Sequence, residues 1–115
     1  MDERLEKALD FSNYRQTLAN QKRNIRSRMQ MLQLLHYNNG SFIAEPNTIG
    51  FVNGLINANK KSAILLDTKE NPIKIEDLSE FFELLVEKYT EATNEYLVLL
   101  DKVNKARNIK KLMDW

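Results

Sequence analysis

Residues 77–112, DLSEFFELLVEKYTEATNEYLVLLDKVNKARNIKKL, decide the fold that we expect. The stretch holds neither proline nor glycine, and its apolar residues recur three, four and seven positions apart, which places them on one face of a helix. Asp77 and Glu80 have capping-box spacing, so the helix is predicted to begin there. Five residues form a strict seven-residue ladder, which is typical of coiled-coil packing: Leu78, Leu85, Ala92, Leu99 and Ala106.

Residues 1–38 carry similar spacing and predict a second long helix. No proline or glycine occurs between Leu5 and Tyr37, and the apolar residues are again mostly three, four or seven apart. The segment DFSN at 10–13 is a weak point where the helix either continues with a bend or restarts, because Ser and Asn compete for backbone hydrogen bonds. The NNG sequence at 38–40 is expected to end it, since Asn and Gly tolerate the left-handed conformation.

The two helical patterns together predict the fold class. Each covers about 33 to 36 residues, or roughly 50 Å, and neither helix is able to bury its apolar stripe alone. We therefore expect a mainly α (α+β) fold built on a long antiparallel two-helix, coiled-coil-like hairpin. With 115 residues the chain is expected to form a single domain, with long helices over 1–38 and 77–112 and a small αβ segment over 41–76.

The middle segment, residues 41–76, contains both prolines and most of the chain's glycine. Pro46 suits the first turn of a short helix that reaches about Asn59, while the alternative takes Asn53–Gly54 as a hairpin turn. SAILL at 62–66 and PIKI at 72–75 are predicted to form two antiparallel strands joined by a turn. SFIA at 41–44 is a candidate third strand of the same sheet. We expect one short helix and a two- or three-stranded sheet at the connecting end of the hairpin.

The charge distribution offers two interpretations of a basic stretch, NQKRNIRSRMQ at 20–30. The whole chain has a net charge of only +1, so any electrostatic partner must meet a local patch. A basic helix of this kind is able to follow phosphates. However, residues 76–95 hold seven acids and one lysine, and an antiparallel hairpin would bring them opposite the basic stretch. We favour this internal pairing, in which charges beside the apolar seam set the helix orientation.

The C-terminal residues, KARNIKKLMDW at 105–115, hold more bases than the acidic N-terminus neutralises. They are therefore the stronger candidates for contact with a partner or a nucleic acid. For the terminal tryptophan itself we favour a closing role over Leu5 and Leu9 above docking on a partner or a base. The predicted contact residues are Lys105, Arg107, Lys110, Lys111 and Trp115.

A second candidate site is apolar. Four residues of the second helix lie off its strict ladder, so the apolar surface is wider than one partner helix needs. Such a surface is suited to self-association or to a protein partner. These residues are Phe82, Val86, Leu97 and Val98.

Signals for catalysis, metals and membranes are weak. The chain has no cysteine and one histidine, His36, which we interpret as a structural or surface residue. It has no Glu-x-x-His motif and no glycine-rich phosphate loop, so we expect no catalytic residue, metal site or cofactor. The lack of cysteine, of a long apolar stretch and of a secretory signal leads us to expect a cytoplasmic protein without membrane contact.

ALDFSNYRQTLANQK at 8–22 and KARNIKKLMDW at 105–115 resemble small uncharacterised proteins of large tailed bacteriophages of the T-even-like, marine myovirus kind. The resemblance implies a phage-encoded accessory or structural factor in the host cytoplasm, and it carries no site residue. The expected function is that of a non-enzymatic helical interaction protein, either a homo-oligomer or bound to a protein partner. The alternative is a nucleic-acid-binding accessory protein that uses the basic C-terminal end.

Overall fold

The computed structural model describes the backbone of residues 2–113 and the side chains of residues 2–106. Within that range the chain is mainly helical, with three helices and two small antiparallel sheets of two strands each, so the expected fold class is confirmed at this level. In chain order the elements are α1 (Glu3–Leu32), β1 (Leu34–Tyr37), β2 (Gly40–Ile43), α2 (Pro46–Asn57), β3 (Ala63–Leu66), β4 (Pro72–Ile75) and α3 (Leu78–Met113).

The chain divides into two compact units. Unit 1 comprises Met1–Arg28 and Glu95–Trp115, and unit 2 comprises Met29–Asn94. The long helices α1 and α3 each contribute residues to both units. The expectation of a single domain stays a prediction.

The second long helix begins where the sequence predicts. The Asp77 carboxylate accepts a hydrogen bond from the Glu80 amide at 3.2 Å, which satisfies one of the free N–H groups at the start of α3. The first three ladder residues, Leu78, Leu85 and Ala92, are fully buried. The seven-residue spacing therefore identified the face of α3 that packs inward in unit 2.

Unit 2 has a hydrophobic core to which both hairpins, α2 and α3 contribute. Phe81 lies at its centre, with the ring of Tyr37 at 5.1 Å and the ring of Phe42 at 5.0 Å, both in edge-to-face arrangements. The buried members of the core are Leu35, Phe42, Ala44, Val52, Ile75, Leu78, Phe81 and Leu85.

The first helix ends at Leu32, so the prediction of a helix through residue 38 is wrong at its C-terminal end. Leu34–Tyr37 form β1, which pairs with β2 in an antiparallel hairpin. Asn38 and Asn39 have φ angles of 48° and 68°, and two successive positive values are what a two-residue type I′ hairpin turn requires. NNG is therefore a hairpin turn and not a helix terminus. Residues 10–13, the expected weak point, lie within an unbroken α1.

The short helix α2 settles the alternative at Asn53–Gly54 in favour of a helix. Pro46 occupies its first turn, as predicted. At its end, the Asn59 amide donates to Ile56 O and the Lys60 amide donates to Leu55 O, each at 3.0 Å. Asn59 has a φ of 65°, so this end is a Schellman motif with Asn in place of the usual Gly.

The predicted strands of the middle segment exist but form two sheets. Ala63–Leu66 pairs with Pro72–Ile75 as expected, whereas Gly40–Ile43 pairs with β1 and does not become a third strand of that sheet. The Asp67 side chain joins the two hairpins, because it accepts hydrogen bonds from the amides of Ser41, Lys69 and Asn71 at 3.2, 3.0 and 2.9 Å. No helix within the described residues is long and apolar enough to cross a membrane.

Candidate association surfaces

The predicted association residues of α3 fall into different environments. In unit 2, Phe82 is half-buried and packs against the core, whereas 37% of the surface of Val86 is exposed. In unit 1, Leu97 and Val98 are 67% and 51% exposed. Leu97 and Val98 are therefore available to a partner, whereas most of Phe82 already serves the core.

Unit 1 exposes further apolar side chains on α1. Leu5, Leu9 and Phe11 belong to the stripe that the sequence predicts as buried, yet each is about half exposed. Ile25 is the one side chain among those described in unit 1 that is buried. Together with Leu97 and Val98, five large apolar residues described in this unit are therefore about half exposed or more.

The basic stretch is only partly neutralised within the chain. Arg28 Nε donates to Glu95 Oε1 at 3.2 Å, which joins α1 to α3 as the internal-pairing interpretation requires. Lys22, Arg23 and Arg26 form no ion pair with any residue that the structure describes. Of the predicted pairing between the basic stretch and the acidic residues 76–95, the described residues therefore contain one ion pair.

Most of the predicted basic C-terminal site lies outside the described side chains. Lys105 Nζ is 3.2 Å from Asp101 Oδ2, one helical turn earlier, and both side chains are largely exposed. This spacing places a carboxylate and an ammonium group side by side on one helix. The side chains of Arg107, Lys110, Lys111 and Trp115 are not among those described, so their contact with a partner stays a prediction.

The one histidine of the chain, His36, lies in unit 2 beside a serine. His36 lies on β1 and not on a helix, where its Nδ1 is 3.2 Å from Ser41 Oγ. Its imidazole has no carboxylate partner among the described residues, and the side chain is exposed. A serine and a histidine alone lack the third group that would orient the base. No three metal-ligating side chains converge anywhere in the described range.

A shallow groove of about 530 Å³ lies beside the start of α3 in unit 2. Lys60, Lys61, Glu76 and Asp77 line it together with Ile56 and Asn59. The groove mixes charges of both signs, and Ile56 is the one apolar residue among the described residues that line it. Small-molecule sites, in contrast, are lined mainly by hydrophobic and aromatic side chains with a few convergent polar groups.

Sequence reasoning missed one exposed apolar pair. Ile64 and Leu66 on β3 are 69% and 65% exposed, while their neighbours Ala63 and Leu65 face the core. The strand was predicted, but all its residues are apolar, so the sequence showed no alternation that would mark the outer face.

Comparisons with protein families, with curated proteins and with solved structures found no match to this chain.

Proposed function

We propose that this protein is a non-enzymatic helical association protein that binds a second copy of itself through the helical segments of unit 1. The resemblance in its sequence would make it a phage-encoded accessory or assembly factor. Phe82 and Val86 in unit 2 are the weaker part of the predicted surface, because Phe82 is engaged in the core and Val86 is less exposed than Leu97 and Val98.

One observation carries the proposal: the long helical segments of unit 1 bury few of their apolar side chains. Its described side chains include a single buried residue, Ile25, against five large apolar residues that are about half exposed or more. Helices in water draw most of their stability from packing an apolar face, and the other large apolar side chains described in unit 1 are only half-buried. A second copy would supply the missing surface. The five exposed residues are Leu5, Leu9, Phe11, Leu97 and Val98.

The antiparallel hairpin belongs to the same proposal. The Arg28–Glu95 contact supports it, since a residue near the end of α1 meets one in the middle of α3. Two such hairpins, packed with their apolar faces together, would make a four-helix arrangement.

Static light scattering of the full chain over a range of concentrations tests the proposal. The wild-type protein is expected to be an oligomer, and Leu97→Ser combined with Val98→Ser is expected to shift it towards the monomer. Phe51→Ser is the matched control, because Phe51 is 60% exposed but lies on α2 in unit 2. A protein that stays monomeric at the highest concentration would refute self-association.

A nucleic-acid-binding accessory protein is the second candidate. The observation in its favour is that Lys22, Arg23 and Arg26 have no acidic partner within the described chain, which leaves more free positive charge than internal pairing predicts. The C-terminal bases would add to it. Each phosphate that a base neutralises makes binding more sensitive to salt.

A gel shift on single- and double-stranded DNA and RNA at several salt concentrations tests this candidate. Replacing Lys105, Arg107, Lys110 and Lys111 is expected to weaken binding more than replacing Lys22 and Arg26. The reverse order would move the site to the basic stretch of α1, and no shift even at about 50 mM salt would exclude this function.

A further inference from the structure

The edge of β3 that faces away from β4 pairs with no other strand that the structure describes. The hydrogen-bonding pattern of the β3–β4 hairpin shows which backbone N–H and C=O groups point outward from this edge. Antiparallel pairs alternate between those that exchange hydrogen bonds and those that do not. The Asp67 amide donates to Asn71 O at 3.0 Å, so these residues form a bonded pair at the turn. The next pair, Leu66 with Pro72, is therefore non-bonded, and proline fits there because it has no N–H.

By the same alternation, the pair two residues further along the hairpin is also non-bonded. Ile64 pairs with Lys74, and Asn38 Nδ2 donates to Lys74 O at 3.0 Å, at the edge of β4 away from β3. The N–H and C=O groups of Ile64 and Leu66 consequently aim away from β4. Among the described residues none of these four groups has another hydrogen-bond partner.

The edge of β3 also lacks the features that normally protect a free strand. Natural edge strands carry charges, proline or a bulge, and β3 reads AILL. The edge of β2, in contrast, is occupied, since Ser41 N–H and C=O bond to Asp67 and Thr68 of the β3–β4 turn. The edge of β1 presents the polar His36 beside Leu34. Among the four strands that the structure describes, only β3 combines unpaired backbone groups with two strongly exposed apolar side chains.

We propose that the outer edge of β3 receives an extended, acidic and apolar segment of a partner protein by strand addition. The segment would bond to the backbone groups of Ile64 and Leu66 and place apolar side chains against theirs, as in other cases of strand addition. This inference concerns unit 2 and does not depend on self-association through unit 1.

The size of the edge favours a single extended segment. Four residues at about 3.3 Å each span roughly 13 Å. A stable interface between folded proteins buries about 800 Å² on each partner, far more than one short strand edge offers. A segment of about six residues matches the available hydrogen bonds.

Charge selects the chemistry of that segment. Lys74 lies across from Ile64 and shares the outer face with it, and it has no ion pair among the described residues. Lys61 precedes the strand, and the turn that follows it holds Lys69 next to the exposed Glu70. The Asp67 carboxylate of the same turn is buried and accepts three amide hydrogen bonds. If a second copy paired its Leu66 with Ile64, its Lys69 would come opposite Lys61, and like charges directly opposite are unfavourable. A segment with acidic ends is free of that conflict.

The test uses the full chain and a capped, fluorescein-labelled peptide, EVTVTVE, followed by fluorescence anisotropy and by amide hydrogen exchange. In the free protein the Ile64 and Leu66 amides are expected to exchange fast while the Ala63 and Leu65 amides are protected. Bound peptide is expected to protect all four. The charge-swapped peptide KVTVTVK is expected to bind about tenfold more weakly, a change of about 1.4 kcal/mol.

Leu66→Pro is the decisive variant, because it removes an outward N–H without removing a bond of the β3–β4 ladder. It is expected to weaken EVTVTVE binding about tenfold, whereas Leu66→Thr keeps the N–H and retains most of the affinity. Protected Ala63 and Leu65 amides in each variant show that the hairpin is intact. Equal binding by Leu66→Pro, or no binding at millimolar peptide, would overturn the proposal. Protection of Ile64 and Leu66 that grows with protein concentration alone would also overturn it, in favour of a second copy.

Discussion

Gly40 packs directly against the side chain of Ile73, so closely that a Cβ atom on Gly40 would lie 2.6 Å from Ile73 Cγ1. Gly40 pairs with Tyr37 beside the turn of the first hairpin, and Ile73 lies on β4 of the second. The glycine is required for this close approach and not for its φ angle, which is negative. The absence of a side chain at this position therefore lets the two hairpins of unit 2 pack together.

Gly40→Ala is accordingly expected to destabilise the protein by about 1–3 kcal/mol, the usual cost of forcing an extra methyl group into a packed site. Urea unfolding measures the change. Gly50→Ala and Gly54→Ala are the controls, because both positions lie on α2 with nothing within 4 Å of the added atom. Each control is expected to stabilise by about 0.5–1 kcal/mol, since alanine is the better helix former. A neutral Gly40→Ala would show that Ile73 moves aside freely.

Phe81→Ala is expected to cost about 3–5 kcal/mol in free energy of unfolding, because the ring is fully buried and contacts both Tyr37 and Phe42. Phe51→Ala removes the same group from a site that is 60% exposed and is expected to cost far less. Urea unfolding of the two variants compares them. Similar losses at the two positions would mean that the core of unit 2 is placed incorrectly.

The parts of the fold that sequence reasoning predicted are those in which local preference and packing agree. The ladder of α3, its Asp77 start and the β3–β4 pairing all carry short-range signals that the folded chain keeps. The end of α1 shows the opposite case. Leu32 and Leu35 continue the helical spacing, but Leu35 also has the inward position of a strand that pairs with Phe42. The turn at Asn38–Asn39 decides between the two, and tertiary pairing overrides the helical pattern.

Asp67 is expected to make the stability of the protein dependent on acid. Its pKa lies below the ordinary value, chiefly because the Asn71 amide donates to the carboxylate, with the Ser41 and Lys69 amides adding to the effect against the opposing influence of burial. A carboxyl group with a lowered pKa in the folded state stabilises it above its ordinary pKa of 3.8, and that contribution is lost as the pH falls through the folded-state pKa.

Unfolding in urea at neutral pH and at a series of acidic pH values checks this expectation. Asp67→Asn should be less stable than the wild type at neutral pH, and the difference should shrink as the pH falls below 3.8. Glu70→Gln, which changes an exposed acid in the same turn, is the control. If the difference in free energy of unfolding between the wild type and Asp67→Asn is the same at every pH, the effect comes from altered hydrogen-bond geometry and not from the charge of Asp67.

The ion pair between Arg28 and Glu95 is expected to contribute about 0.2–1 kcal/mol, because both side chains are partly exposed. A double-mutant cycle of Arg28→Ala and Glu95→Ala measures that coupling in unfolding experiments, and added salt should reduce it. The pair Asp101 and Lys105, four residues apart on α3, provides a local comparison of about 0.2–0.5 kcal/mol. If Arg28 and Glu95 show no coupling at low salt, the proposed pairing of α1 with α3 loses its main support.

The candidate sites were less predictable than the fold, because the exposure of a side chain or a strand edge depends on segments that are distant in the sequence. The spacing on α3 indicated that Leu97 and Val98 lie off the buried face, and they are exposed. It did not separate them from Phe82, since a core formed by distant segments decides how much of that ring is covered. The open edge of β3 depends on the register of β3 with β4 and on which other edges are occupied, and no short-range pattern carries that information.

Asn39 provides the sharpest test of the unexpected first hairpin. Its φ of 68° lies in the left-handed region, which glycine adopts without strain and alanine does not. Asn39→Gly is expected to stabilise the protein or leave it unchanged, because Asn-Gly is the preferred pair for a type I′ turn. Asn39→Ala is expected to cost about 1 kcal/mol or more, the usual penalty of the left-handed conformation for a residue with a Cβ. Both changes are measured by urea unfolding.

Asn47→Ala is the control, since this exposed residue lies in the first turn of α2 and not in a turn with positive φ. If Asn39→Ala proves as stable as Asn39→Gly, residues 38–40 do not form this turn in solution, and the helix predicted through residue 38 becomes the better description.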